Sequence, residues 1–377
     1  MKSTKPAGRP RSPAADRPPA PPLTAPTPSQ FFAEAQRRFT EAVARAPGGD
    51  IEFHLAGRHI RLRFAGEALR SVVAPVFAHL PRAGAGNADL TIALWDTRTT
   101  GIGMPPRPWQ DDDHGSRGLI RHFSDGRFAT RFDGWSGALS MLDGERGLAF
   151  HWVPDVAGLP HWERAHPLSA VIARWFHDRD LPMVHAGAIG RPDGGALIVG
   201  RGGSGKSTSV LAGIAAGLRT AGDDYLLVDC KAAVAYGLYG SATLHADHRR
   251  RFPSLMPAAE TQGAAGEKCV TLLAVHRPAS LIAALPLVAI VVPRVVGRGP
   301  CRIHPATAAQ ALRALAPSTL LQVGNADAAG LARLAALCRG LPCFALDLGA
   351  EPADIPAAIT EILDRGAGRA AIPAAAR

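Results

Sequence analysis

The sequence predicts an α/β fold in which a glycine-rich strand–loop–helix unit follows a smaller β-rich α+β region, and three observations predict it. Residues 200–208 read GRGGSGKST, so Gly200, Gly205, Lys206 and Ser207 satisfy the pattern Gly-x-x-x-x-Gly-Lys-Ser/Thr. The apolar run Ala196-Leu197-Ile198-Val199 precedes it as a buried strand would, and Ser207–Gly217 suits the following helix. Upstream, Ile51–Leu55 and Ile60–Phe64 alternate in polarity around the turn Ala56-Gly57-Arg58, which is a hairpin signal.

The chain has 377 residues, enough for two domains, and is 47% hydrophobic and 20% charged, as a globular protein with a real core is. Residues 1–30 are rich in Pro and Ala with basic residues and no periodicity, and are expected to be disordered. Residues 31–155 read as the β-rich N-terminal domain and 156–370 as the α/β domain that carries the loop.

The net charge is +10, nearly all from arginine; lysine occurs only at Lys2, Lys5, Lys206, Lys231 and Lys268. Part of the excess lies in the tail and part in His248-Arg249-Arg250-Arg251. Neither run is interleaved with aromatics as a base-stacking surface is, so a solvated charge run is the preferred reading and no nucleic-acid partner is expected. A phosphate-bearing or acidic substrate is the sharper alternative. The five cysteines form no CxxC pair, which argues against a disulfide scaffold or zinc site and for a reducing cytoplasm. The basic N-terminus has no apolar core and no stretch reaches 18 apolar residues, so neither a signal peptide nor a membrane span is expected.

The remaining elements follow in chain order. Glu67–Leu80 is helix-like with Pro75 an awkward interior residue, and Leu90–Trp95 is a strand. Asp111-Asp112-Asp113-His114 lies in a loop and reads as a solvated acidic run rather than a metal site. Two hairpins turn at Ser124-Asp125-Gly126 and Asp143-Gly144-Glu145. Leu168, Val171, Ile172, Trp175 and Phe176 recur at helical spacing. Met183–Ile189 and Gly195–Val199 are strands joined by the turn at Arg191–Gly194. Tyr225–Val228, Ala232–Tyr239, Pro286–Val292 and Cys343–Leu348 are strand-like, residues 240–266 are irregular, and Thr307–Leu315, Ala326–Arg339 and Ile355–Leu363 are helical.

The loop pattern carries a defined chemistry. Backbone N–H groups of a glycine-rich loop and of a helix N-terminus point at phosphate oxygens, the lysine reaches the outer phosphates and the hydroxyl holds Mg²⁺. Gly200, Arg201, Gly202, Gly203, Ser204, Gly205, Lys206, Ser207 and Thr208 are therefore the expected ATP-binding residues. Two further features stand at informative distances. His185 lies 21 residues before Lys206, and Asp223 and Asp224 lie 16 and 17 residues after Ser207, a gap that holds a short helix and a return. Phosphoryl transfer needs a carboxylate to orient or deprotonate the attacking hydroxyl and a metal to neutralise phosphate charge. The adjacent aspartates are expected to divide that work, Asp223 with Ser207 on Mg²⁺ and Asp224 facing the acceptor, each raising the other's pKa. Taken singly, the pair would read as a polar turn and His185 as a satisfied core histidine.

The segment His185-Ala186-Gly187, then GRGGSGKS over 200–207, Gly217 and Asp223-Asp224 resembles the catalytic half of the HPr kinase/phosphorylase family. There a histidine precedes the loop and an Asp-Asp pair follows the helix. The resemblance implies a P-loop core of the phosphoenolpyruvate-carboxykinase type, ATP and Mg²⁺ as cofactors, Asp224 as proton acceptor, Ser207 as Mg²⁺ ligand and His185 as a supporting residue. Thr208 stands where the family usually has glutamate, and Glu260 and Glu267 are only weak counterparts of its downstream Mg²⁺-binding glutamate. The layout is more similar to stand-alone HPr-kinase-like serine kinases, which implies a serine of a protein or peptide as acceptor, with oligomerisation possible. The alternative is a P-loop ATPase or ATP-binding regulatory subunit, for which Tyr225–Asp229 offers a strand ending in an acid. Lys268 and Arg294 are further candidates for phosphate contact, although a surface charge is the preferred reading of both.

Overall fold

The computed structural model describes residues 26–84, 86–244, 251–255, 269–323 and 327–370. It is a mixed α/β structure built on two large mixed sheets with flanking helices.

The first sheet has six strands: β1 (Pro47–Leu55), β2 (Arg58–Ala65), β3 (Leu90–Asp96), β4 (Phe128–Phe132), β5 (Leu139–Asp143) and β6 (Leu148–Val153), in the order β1-β2-β3-β6-β5-β4. β2, β3 and β6 run parallel and the outer pairs antiparallel. Helix α1 (Pro28–Arg45) covers one face. Thr27 caps its start and exchanges side-chain and backbone hydrogen bonds with Gln30. Phe32 and Phe39 of α1 pack on Trp95 and Phe150 of the sheet, and Phe31 packs on Trp109 and Phe123. The other face packs under α2 (Glu67–Val73) and α3 (Ser169–His177). Pro75 ends α2, and the chain continues as a tighter 3₁₀ turn over Ala74–Phe77 because proline cannot donate to the preceding turn.

The second sheet has eight strands: β7 (Met183–Arg191), β8 (Gly194–Val199), β9 (Arg219–Gly222), β10 (Tyr225–Asp229), β11 (Val234–Gly237), β14 (Ala284–Val295), β15 (Arg302–Ala306) and β16 (Cys343–Leu348). The order is β11-β10-β7-β8-β14-β16-β15 with β9 beside β7. β8, β14 and β16 are parallel and the other pairings antiparallel. β12 (Ala242–Leu244) and β13 (Cys269–Thr271) form a separate ribbon. α4 (Lys206–Ala215) and α7 (Ile355–Ala370) cover one face, and α5 (Ala308–Val323) and α6 (Ala328–Gly340) the other. Both faces are therefore buried, which is why β8 is apolar throughout: Ile198 enters one core, Leu197 and Val199 the other. The core between the two sheets is continuous, joining Phe77 and Leu94 to Trp175, Leu227 and Tyr239.

Sequence and structure differ where local signals are weak. Strands β9, β12, β13 and β15 carry too few apolar alternations to announce themselves. α5 runs on to Val323 through Pro317, well past Leu315, and β14 extends to 12 residues. Residues 1–25, His248, Arg249, Arg250, Glu260, Glu267 and Lys268 lie outside the described residues. No described helix is long and apolar enough to cross a membrane.

Candidate functional site

The glycine-rich loop leaves the C-terminal end of β8, between β7 and β14, and enters α4 at Lys206. Ligands of open α/β sheets bind at such strand ends. Gly205 sits in the left-handed region with φ 102° as the cap of α4, a conformation glycine tolerates and other residues rarely adopt. Lys206 is 6% exposed, and its Nζ donates to the carbonyls of Gly200 at 2.9 Å and Arg201 at 3.3 Å, so the lysine is folded back along its own loop. α4 lies close on β7 because Gly187 has no side chain; a Cβ there would stand 2.6 Å from Val210 Cγ2.

Gly202, Gly203, Gly205, Lys206, Ser207 and Thr208 line a cleft of about 390 Å³. Across it stand His166, His185, Asp224, Tyr225 and Thr243. His185 comes from β7 and pairs in register with Tyr225 of β10, which brings Asp224 beside it. Asp224 Oδ1 is 3.7 Å from His185 Nε2 and its Oδ2 is 3.6 Å from His166 Nε2, ion-pair rather than hydrogen-bond separations. The Thr243 hydroxyl donates to Asp224 Oδ2 at 2.6 Å. Burial alone would push the Asp224 carboxyl upward. His185, the charge of His166 and the Thr243 hydroxyl outweigh it and hold the group well below the usual carboxylate range.

This corrects one expectation. The two aspartates do not combine to raise the Asp224 pKa; two imidazoles and a hydroxyl lower it. Nor do the aspartates share the cleft. Asp224 lines it, whereas Asp223, beside it in the bend between β9 and β10, is 1% exposed and does not. Gly200, Arg201 and Ser204 also stay off the cleft wall, Gly200 and Arg201 contributing the carbonyls that hold Lys206.

Several neighbours escaped the sequence reading. His166 follows a short helical turn (His161–Ala165) and carries no motif; only the fold brings it to Asp224. It is held by the Ser241 hydroxyl donating to the Ala165 carbonyl at 2.6 Å and the Tyr239 hydroxyl donating to the Pro167 carbonyl at 3.1 Å. Its ring meets Tyr225 and Tyr239 edge-on. Thr243 lies in a stretch read as irregular. Arg251, assigned to a solvated run, lines the cleft. Arg294 does not; it pairs with Asp347 at 2.6 Å. Asp229 accepts from the backbone N–H groups of Lys231 and Ala232 in a turn and is also absent from the cleft wall. No group of three or more His, Cys, Asp or Glu side chains suited to a metal occurs among the described residues. The Ser207 hydroxyl and the Asp224 carboxylate are hard oxygen donors on one cleft, the ligand type that suits Mg²⁺ shared with a phosphate.

Compared with protein-family models and with curated proteins, the chain matches none.

Proposed function

We propose that this chain is an ATP-dependent phosphotransferase of the HPr-kinase-like type, moving the γ-phosphoryl group to a hydroxyl. The observation that carries the reading is that Asp224, ionised and flanked by two histidines, faces Lys206 and Ser207 across a single cleft. In this reading the glycine-rich loop holds the phosphates through its backbone N–H groups and Lys206. Mg²⁺ on Ser207 would neutralise charge on the phosphates. Asp224 orients the acceptor hydroxyl; as its oxygen bonds to phosphorus and the bond to the departing diphosphate breaks, the proton passes to Asp224. Its lowered pKa suits a carboxylate that is ionised from the outset and accepts the proton late in a loose transition state. The resemblance points to a serine hydroxyl of a protein or peptide. A cytoplasmic setting supplies ATP and agrees with five free thiols.

The second reading, an ATPase or ATP-binding regulatory subunit that acts without phosphorylating a partner, has less support, because the acid it would use, Asp229, is committed to a turn away from the cleft. Incubation with Mg²⁺ and γ-labelled ATP, with and without acceptor, separates the two. Acceptor labelling that disappears in Asp224→Asn is the expected result. Release of phosphate to water alone, unchanged in that variant, excludes the phosphotransferase.

A further inference from the structure

A second and larger cavity, about 660 Å³, adjoins the cleft. Trp162, His166 and Tyr225 line both spaces, so the two meet at these three side chains, next to Asp224. Its far wall comes from the N-terminal sheet and its loops: Arg131 on β4, Arg117 and Asp133. Glu163 closes the near side.

Two arginines facing one cavity repel each other, and the fold maintains the arrangement at a visible cost. Arg131 is largely buried, its Nε has no hydrogen-bond partner, and both burial and the Arg117 charge pull its guanidinium below its ordinary pKa. Arg117 occupies the left-handed region at φ 57°, a conformation non-glycine residues seldom adopt and one that clusters at ligand sites. The acids of the cavity offset this only in part: the charges of Asp133 and Glu163 favour the charged guanidinium of Arg131, yet burial and the Arg117 charge leave its pKa lowered. Asp133 accepts from the backbone N–H groups of Trp135 and Ser136 within its own turn. Burial raises Glu163 to about 7, with the Asp133 charge adding to the effect, so it is largely protonated just below neutrality. An oxyanion between the guanidiniums would relieve the repulsion and give Arg131 Nε the hydrogen-bond partner it lacks.

We infer that this second cavity seats the phosphoryl acceptor, and that the acceptor is a small hydroxyl compound carrying a carboxylate or phosphate held by Arg131 and Arg117. The inference rests on the phosphotransferase reading for the word acceptor, but the anion site stands on its own geometry. The volume falls within the range of small-molecule sites, whereas a single seryl side chain would fill a small part of it. The acceptor thus differs from the protein or peptide serine that the family resemblance implies.

Titration calorimetry on the full chain tests this, with glycerol 3-phosphate and D-glycerate as anionic probes and glycerol as the uncharged control. Saturable binding of at least one anion at about 1 mM or below is expected, with none for glycerol. The same binding should persist in Lys206→Ala, which disables the glycine-rich loop, and weaken at least about tenfold in Arg131→Gln. Because Arg131→Gln alters a sheet residue, Ala170→Leu, which fills the cavity from α3, should block binding independently. The phosphate and carboxylate probes distinguish the two anion types. No anion binding, or binding that survives both cavity variants, overturns the proposal. Transfer of label from γ-labelled ATP to the bound anion, with Mg²⁺ present, separates the two readings. Anion binding that obeys the variants without any such transfer leaves the site standing and removes phosphotransfer to its occupant. Labelling of a protein serine without anion binding does the reverse.

Discussion

Asp224 and His166 stand 3.6 Å apart although one follows β9 and the other precedes α3, and the contact gives the carboxylate a second imidazole neighbour besides His185. Opposite charge at this range favours the ionised carboxylate. His166→Asn should therefore let the Asp224 pKa rise toward the ordinary carboxylate value. The sign is fixed: activity that needs ionised Asp224 is lost as pH falls through its folded pKa, so a higher pKa moves the acid limb of the pH–rate profile upward. A shift of about one unit or more is expected, with turnover down roughly 10- to 100-fold and ATP affinity retained. An unchanged acid limb would remove His166 from the site's electrostatics.

Lys206 supplies the second prediction. The residue is 6% exposed and its ammonium is held by two loop carbonyls, a position from which it would turn to phosphate. A ligand at one hundred times its Kd stabilises the folded state by about 2.7 kcal/mol, which thermal denaturation reads easily. Mg²⁺ and ATP should raise the melting temperature of the wild type, and Lys206→Ala should abolish the rise. An equal rise in both would place the nucleotide elsewhere.

The loop, its strand and its helix were legible because they are local: an apolar run, four glycines and a lysine lie within a dozen residues, and the structure delivers them as β8 and α4. His185 and Asp224 were legible by their spacing from that unit, and the register of β7 with β10 brings them together. What stayed hidden is long-range. His166 and Thr243 reach Asp224 only through tertiary packing, and no period or motif marks them. The Asp223-Asp224 pair misled for a related reason. Adjacency in sequence suggested mutual repulsion in one site, but the bend between β9 and β10 leaves one side chain buried and the other on the cleft. The second cavity was invisible because its arginines come from the first sheet and its connecting loop, while the cleft belongs to the second.

Glu163 and two buried histidines make opposing contributions to stability against pH. Burial lowers His79 and His151 to about 4 from an ordinary value of 6.5, so between those values the unfolded chain binds more protons and stability rises with pH. Burial raises Glu163 from 4.5 to about 7, so over that window the folded chain binds the extra proton and stability falls with pH. Glu163→Gln removes the second effect. Between pH 5 and pH 7 the variant's stability should climb more steeply than the wild type's, gaining on it by roughly 3 kcal/mol at most, one pKa unit being worth about 1.36 kcal/mol. Denaturant midpoints across that range measure it. Parallel pH curves for the two proteins would show that Glu163 titrates as an ordinary exposed carboxyl.

Gly205 joins the loop's conformation to the core. Its φ of 102° excludes most side chains, and a Cβ there would run into Leu348 Cδ1 at the end of β16, a side chain buried in the core beneath α4. Gly205→Ala thus meets two separable penalties. Left-handed strain costs of order 1–3 kcal/mol and the steric contact adds to it. Gly202→Ala is the control, since a Cβ at Gly202 meets nothing within 4 Å and its φ is not positive. The expected order of melting temperatures is wild type close to Gly202→Ala, then the double variant Gly205→Ala with Leu348→Val, then Gly205→Ala alone. The double variant regains part of the loss because trimming Leu348 relieves the contact but not the backbone. Affinity for Mg²⁺ and ATP should fall in both Gly205 variants, because the strain acts at the turn that aims the first N–H groups of α4. Full recovery of affinity in the double variant would mean that packing against Leu348, rather than the left-handed backbone, is what requires glycine there.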